Sequence, residues 1–309
     1  MKQSFRIGTR GSKLALWQAN HIRNLLSANS PDLEIEIQVI KTTGDALLNS
    51  PLSEIGGKGV FVKEIEESLL SEKIDIAVHS MKDVPTILPE GLTISAVAKR
   101  HDSRDAFISK TGLSLAELPE GSRVGTGSLR RASQLLHHFS GLKIVSIRGN
   151  VDTRIRKLRE DGEFDAIVLA VAGLERMGLG DEITEIISPD IMLPAPGQGV
   201  VAIESRVDDE DTINVLRGIN HAETEIVATS ERAFLCRLGG DCNVPVGCNA
   251  TLNGHLISLS GIISSPDGKA LIKKDASGPI EDARQLGEQL AELILQQGGN
   301  KILEELRSS

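Results

Sequence analysis

The chain has 309 residues, 40% hydrophobic and 25% charged, a composition that fits two or three globular domains and excludes a disordered or fibrous protein. Aromatic residues make up only 2%, with no Tyr and a single Trp, so the cores must be built from Leu, Ile, Val and Ala. With 34 basic against 43 acidic side chains the net charge is −9, which speaks against a nucleic-acid coat protein or a polybasic membrane binder.

Strands followed by amphipathic helices recur along the chain. Arg6 to Thr9 leads into a helix pattern over 14–26. Residues 33–40 alternate apolar and polar (Leu33, Ile35, Ile37, Val39), the pattern of a strand with one buried face. A helix is predicted over 61–70, then strands over 74–79 and 92–98. Gly56-Gly57-Lys58-Gly59 lacks the Walker spacing and reads as a flap that closes over a cleft rather than a nucleotide loop. From Arg123 the alternation resumes: helix 128–138, strand 143–147, helix 151–160, strand 165–170. Together these elements predict a parallel-rich α/β fold.

Two short segments echo one another. Arg6-Ile7-Gly8-Thr9 resembles Arg123-Val124-Gly125-Thr126, and Asp75-Ile76-Ala77-Val78 resembles Asp165-Ala166-Ile167-Val168. Two related lobes with a cleft between them would give this echo, and so would chance similarity of short strand–turn–helix units. Pro194-Ala195-Pro196-Gly197-Gln198-Gly199 suits a hinge where the chain crosses between lobes. After His221 the pattern changes to a helix over 223–235, a Gly-rich loop at 239–243, alternating strands and a final helix over 280–297, a separate α+β domain.

Charge is uneven. Residues 121–160 hold nine basic side chains (Arg123, Arg130, Arg131, Lys143, Arg148, Arg154, Arg156, Lys157, Arg159) against Asp152 and Glu160, a net of +7. Ser128, Arg130 and Arg131 lie at a strand-to-helix turn, where open N–H groups and the helix dipole favour an anion. Arg148 and Arg154 lie at the next such turn, and Thr9-Arg10-Gly11-Ser12 repeats the arrangement in the first lobe. Guanidiniums pair bidentately with carboxylate or phosphate, so these positions point to a small polyanion. Arg156, Lys157 and Arg159 read equally well as a solvated helix face.

Asp83, in His79-Ser80-Met81-Lys82-Asp83-Val84-Pro85, follows a buried strand. It is placed either to move protons at a substrate nitrogen or to cap a turn before Pro85. The three cysteines, Cys236, Cys242 and Cys248, have no zinc spacing, and no metal is expected. Their odd number and the absence of an apolar leader predict reduced thiols in a cytoplasmic protein. The longest apolar run, Ala166 to Leu174, is too short for a membrane span. Cys242 lies in the Gly-rich loop, where covalent attachment is feasible, although Asp241 beside it should raise its thiol pKa.

His79 to Pro85, Gly125 to Arg131, Arg148-Gly149-Asn150-Val151, Leu169 to Gly173 with Arg176, Leu193 to Gly199 and Gly240 to Gly247 together resemble the porphobilinogen deaminase (hydroxymethylbilane synthase) family, in order and over nearly the whole chain. The resemblance implies an α/β protein of three domains. Two would be lobes like type II periplasmic binding proteins (1–99 with 200–217, and 100–199), and the third a smaller α+β domain (218–309) presenting Cys242. It implies a transferase that joins four porphobilinogen molecules, releasing ammonia each time, into the linear tetrapyrrole hydroxymethylbilane on a dipyrromethane primer. That primer would be held as a thioether on Cys242.

By the same resemblance, Lys82, Ser128, Arg130, Arg131 and Arg154 would hold the primer, and Arg10, Ser12, Gln18, Arg148 and Arg176 the incoming porphobilinogen. Asp83 would be catalytic, beside the pyrrole nitrogens, and Lys58 would lie on the flap. Each pyrrole carries an acetate and a propionate, so the growing chain is the polyanion that the arginines suit. Asp241 and Gly127 depart from the family pattern, where Gly and Ser are expected. A monomer without nucleic-acid or membrane partners is expected. The alternative is a non-enzymatic two-lobe binding protein for a small organic polyanion.

Overall fold

The computed structural model describes residues 4–43, 62–239 and 244–308. The first stretch of elements is β1 (Ser4–Thr9), α1 (Lys13–Asn29), β2 (Glu34–Val39), α2 (Lys63–Leu70), β3 (Ile76–Ser80) and β4 (Leu92–Val97). Next come β5 (Asp105–Ser109), β6 (Arg123–Gly125), α3 (Leu129–His138), β7 (Lys143–Val145), α4 (Val151–Glu160), β8 (Ala166–Ala170), α5 (Val171–Arg176) and β9 (Glu185–Ile186). The remainder is β10 (Val201–Arg206), α6 (Glu210–Arg217), α7 (Ala222–Arg237), β11 (Val246–Asn253), β12 (Leu256–Ser264), β13 (Leu271–Pro279), α8 (Ala283–Ile294) and α9 (Asn300–Ser308). By compactness the chain divides into two units, Met1–His101 with Val200–Glu225, and Asp102–Gly199 with Ile226–Ser309.

The first unit holds a five-stranded sheet in the order β2-β1-β3-β10-β4. β1 pairs parallel with β2 and β3, whereas β10 runs antiparallel to both β3 and β4. One face packs Phe5, Ile7, Val78 and Ile203 against Ala19, Ile22 and Leu26 of α1. The other face buries Ala77 with Ile65 and Leu69 of α2. β2 is an edge strand and only half-buried, so its alternation marks a shallower burial than its sequence suggests.

The second unit holds a sheet in the order β7-β6-β8-β5-β9 and a separate antiparallel sheet, β11-β12-β13. In the five-stranded sheet β6 pairs parallel with β7 and β8, and β5 runs antiparallel to β8 and β9. The apolar run at 166–174 is explained by burial on both faces. Ile167 and Leu169 belong to one core cluster, Ala166 and Val168 to the other. Both five-stranded sheets are mixed rather than parallel-rich, because β5 and β10 return antiparallel. The predicted final helix ends at Ile294; a turn with Gly298 at φ 108° leads into α9.

The sequence echo is structural. In each unit a central strand is flanked by two parallel strands and then by an antiparallel one. Asp75 N–H donates to Arg6 O at 2.9 Å and Arg6 N–H to Asp75 Oδ2 at 2.8 Å; Asp165 N–H donates to Arg123 O at 2.9 Å and Arg123 N–H to Asp165 Oδ2 at 2.7 Å. Both guanidiniums then close on the same carboxylates. Gly8 and Gly125 occupy matching places in β1 and β6. A Cβ on Gly8 would lie 2.3 Å from Ile74 Cδ1, and one on Gly125 2.8 Å from Phe164 Cδ1. Ile74 and Phe164 each precede the bracketing aspartate, so the two lobes use the same device at the same point.

The two brackets differ in depth. The Asp75 side chain is 2% exposed and the Asp165 side chain 40%. Asp75→Asn should therefore cost about 2 kcal/mol, as for losing charged hydrogen bonds at a buried carboxylate whose Arg6 partner is 39% exposed, whereas Asp165→Asn should cost under about 1 kcal/mol. Denaturant midpoints of the two variants measure this; equal losses would contradict it.

Candidate active site

In the first unit the predicted residues cluster at the C-terminal ends of β1 and β3. Ser12 caps α1, its Oγ accepting the Ala15 N–H at 3.2 Å, and the buried Thr9 hydroxyl donates to Ala15 O at 3.2 Å. Gln18, buried on the same helix, donates from Nε2 to Ser80 Oγ at 2.8 Å. Arg10 is half-buried. Beyond Ser80 the chain makes one short turn, Met81–Asp83, which buries Met81, half-buries Lys82 and exposes Asp83. The turn is fastened by backbone bonds, Met81 N–H to Val200 O at 3.0 Å and Val84 N–H to Met81 O at 3.1 Å.

In the second unit α3 begins at Ser128, whose Oγ accepts the Arg131 N–H at 3.5 Å. Arg130 and Arg131 follow, each only 5% exposed, and both turn onto Asp105, which is wholly buried at the start of β5. Arg130 donates from Nη1 to Asp105 Oδ2 at 2.6 Å and to Leu193 O at 2.8 Å. Arg131 donates from Nε to Asp105 Oδ1 at 3.0 Å and from Nη1 to Val168 O at 2.9 Å. Gln198 Nε2 adds a third donor to Asp105 Oδ1 at 3.0 Å. Burial alone would raise the Asp105 carboxyl, but Arg130 and then Arg131 outweigh it and hold the group well below the usual carboxylate range. Two guanidiniums against one carboxylate leave a net positive charge at the first turn of a helix.

Arg148 and Arg154 are half-buried, and Arg154 donates from Nε to Gly149 O at 2.7 Å. Gly149 has φ 112°, and an added Cβ would press on Thr153 at 2.7 Å, so only glycine suits this turn. Arg176 donates from Nη2 to Gly199 O at 2.7 Å, and burial lowers its guanidinium to about 10. At Gly127, a departure from the family pattern, a Cβ would come within 3.1 Å of Ile147 O, a tight approach.

The 194–199 segment, which ends where the chain passes from one unit to the other, is fastened to its own unit by hydrogen bonds. Gly197 N–H donates to buried Glu231 at 2.7 Å, Gln198 Nε2 donates to Ser103 O at 2.7 Å, and Cys248 N–H donates to Pro194 O at 2.8 Å. Cys236 is exposed and Cys248 buried; Cys242, Asp241 and Lys58, expected on a flap, lie outside the described residues. Among the described residues there is no cluster of His, Cys, Asp or Glu able to hold a metal, and no helix long and apolar enough to cross a membrane. Asp105 and Gln198 were assigned no role from sequence. The available signal at Asp105 was a lone acid abutting the apolar run Ala106-Phe107-Ile108.

A family model described as "Porphobilinogen deaminase, dipyromethane cofactor binding domain" matches residues 5–214, and one described as "Porphobilinogen deaminase, C-terminal domain" matches residues 226–296. The chain belongs to the porphobilinogen deaminase family. It is 50% identical to the porphobilinogen deaminase of Trichlorobacter lovleyi over 97% of this chain and 96% of that one. The Chlorobaculum tepidum porphobilinogen deaminase is 48% identical over the full length of both chains. A more distant likeness is to the crystal structure of the methionine-binding protein MetQ, with 16% identity, a TM-score of 0.46, and coverage of 74% of this chain and 95% of that one.

Family membership settles the choice between enzyme and non-enzymatic binding protein in favour of a transferase of tetrapyrrole synthesis with a dipyrromethane cofactor. The residues fit that cofactor. Buried Arg130 and Arg131, set on Asp105, present net positive charge at a helix start, as a group bearing several carboxylates requires.

Proposed function

We propose that this enzyme joins four porphobilinogen molecules head to tail into hydroxymethylbilane, with Cys242 carrying the dipyrromethane primer as a thioether. When bound, the primer supplies the nucleophilic carbon to which porphobilinogen is joined. Ser128, Arg130, Arg131, Arg154 and Lys82 hold its carboxylates, while Arg10, Ser12, Gln18, Arg148 and Arg176 bind the incoming porphobilinogen. Asp83, exposed on its turn, gives a proton to the departing amine. As a carboxylate it then stabilises the positive charge left on the substrate pyrrole and accepts the proton lost after coupling. Lys58 serves on the flap, and the chain works as a monomer in the cytoplasm, organised as three domains with the boundaries given above. Two buried guanidiniums sharing one buried carboxylate are the observation that most supports a polyanion site.

Intact mass of the denatured enzyme tests the attachment. We expect a mass above that of the sequence by two condensed pyrrole units, and none of that excess in Cys242→Ser. Unmodified active enzyme, or an adduct retained in the serine variant, would overturn it.

A further inference from the structure

Three ionisable side chains lie buried beside the strand that ends at the Asp83 turn, and none has a part in the reaction as described. β3 and β10 pair antiparallel with Ala202 opposite His79 and Glu204 opposite Ala77. Glu204 and His79 are therefore diagonal neighbours on one face, and the small Ala77 leaves them room. His79 Nε2 and Glu204 Oε2 are 2.9 Å apart, with side chains 4% and 0% exposed. Glu66 of α2 is buried beside them. The second oxygen of Glu204 and one of Glu66 are buried without a hydrogen-bond partner among the described residues.

Two buried carboxylates and one imidazole cannot all be charged without an unbalanced negative charge. A proton held on Glu66 removes that excess. Burial first, and the Glu204 charge second, push Glu66 up to about 7, against the pull of His79. α2 packs on β1, β3, β4 and β10. From β3 it meets His79 and from β10 Glu204. Arg206 of β10 is engaged with Leu69 O, Ile74 O and Asp209, Arg6 of β1 with Asp75, and β4 carries no titratable residue.

The location gives this cluster its consequence. Past His79, β3 has one more pair, Ser80 with Val201, then the Met81 N–H bond to Val200 O, then Lys82 and Asp83. The His79–Glu204 bond thus ties the two strands by their side chains just before the turn. We propose that His79 and Glu204 are positioning residues for the Asp83 turn, with Glu66 as the proton-holding member that balances their charge. This rests on the role proposed above for Asp83.

The test uses primer-loaded enzyme, checked by intact mass, with porphobilinogen as substrate. Glu204→Gln should lower kcat about tenfold or more while KM stays within about twofold and the primer mass is retained. Glu66→Gln, which imitates the neutral acid, should give a kcat profile lacking an ionisation that the wild type shows near neutral pH. Wild-type kcat in Glu204→Gln, or an unaltered pH profile in Glu66→Gln, overturns the proposal. If Glu204→Gln does not fold, the Glu66→Gln profile decides alone. Asp83→Asn assayed alongside separates the two ideas: normal turnover there removes the Asp83 role itself, whereas slow Asp83→Asn with normal Glu204→Gln removes only the positioning unit.

Discussion

Asp83→Asn should lose most of its turnover, roughly a hundredfold or more in kcat, while substrate binding and the fold remain nearly intact. The amide keeps the size of the carboxylate but can neither carry a proton to the leaving amine nor balance a cation on the pyrrole. The structure also shows why the fold should tolerate it. Asp83 is exposed, its turn is closed by the Val84 N–H to Met81 O bond, and the turn is anchored by Met81 N–H on Val200 O. Asp83 is the last residue of that turn, and Ser80 is its N-cap. Single-turnover and steady-state kinetics on primer-loaded protein separate the two effects. A kcat close to wild type would remove Asp83 from the chemistry. A large rise in KM with kcat unchanged would make it a binding residue instead.

What was legible in the sequence depended on how local the determining physics is. The Arg6 and Arg123 segments show the same spacing because each needs a glycine two residues after the arginine and an aspartate before the partner strand. Both requirements are written in a few consecutive residues. The antiparallel strands β5 and β10 were not read, because each is short, buried and without an alternating pattern. Only pairing with residues distant in sequence, such as Phe107 with Val168 or Ile203 with Val78, makes them strands. The 194–199 segment shows the opposite limit. Its prolines and glycines describe a turn-rich backbone but say nothing of Glu231 and Ser103, which pin it. The helix starts at Ser12 and Ser128, with the arginines beside them, were legible because helix starts after strands are local features. Their buried counter-charge was not, since Asp105 lies 25 residues before Arg130. Cys242 and Lys58 rest on the family resemblance.

Asp105→Ala should strongly destabilise the second unit. It would leave two guanidiniums, each 5% exposed, without the carboxylate that all three donors share. Removing one partner of a buried ion pair costs about 3–5 kcal/mol, which corresponds to a fall in Tm of roughly 10 °C for a protein of this size. Asp105→Asn should fall less far, because its side-chain oxygen still accepts from one arginine while the charge is lost. The pH dependence distinguishes this from a simple packing defect. The folded-state carboxyl is held below its unfolded value, so its stabilisation is fully present above about pH 4 and fades as acid protonates the native group. The stability gap between wild type and Asp105→Asn should therefore be level from about pH 5 to 8 and narrow below about pH 4. The same variants should load the primer poorly, since Arg130 and Arg131 would repel one another out of their buried positions. Thermal melts across pH and intact mass of the purified variants measure both effects. A gap that does not narrow in acid, together with full primer loading, would mean that Asp105 fills space and does not hold the arginines.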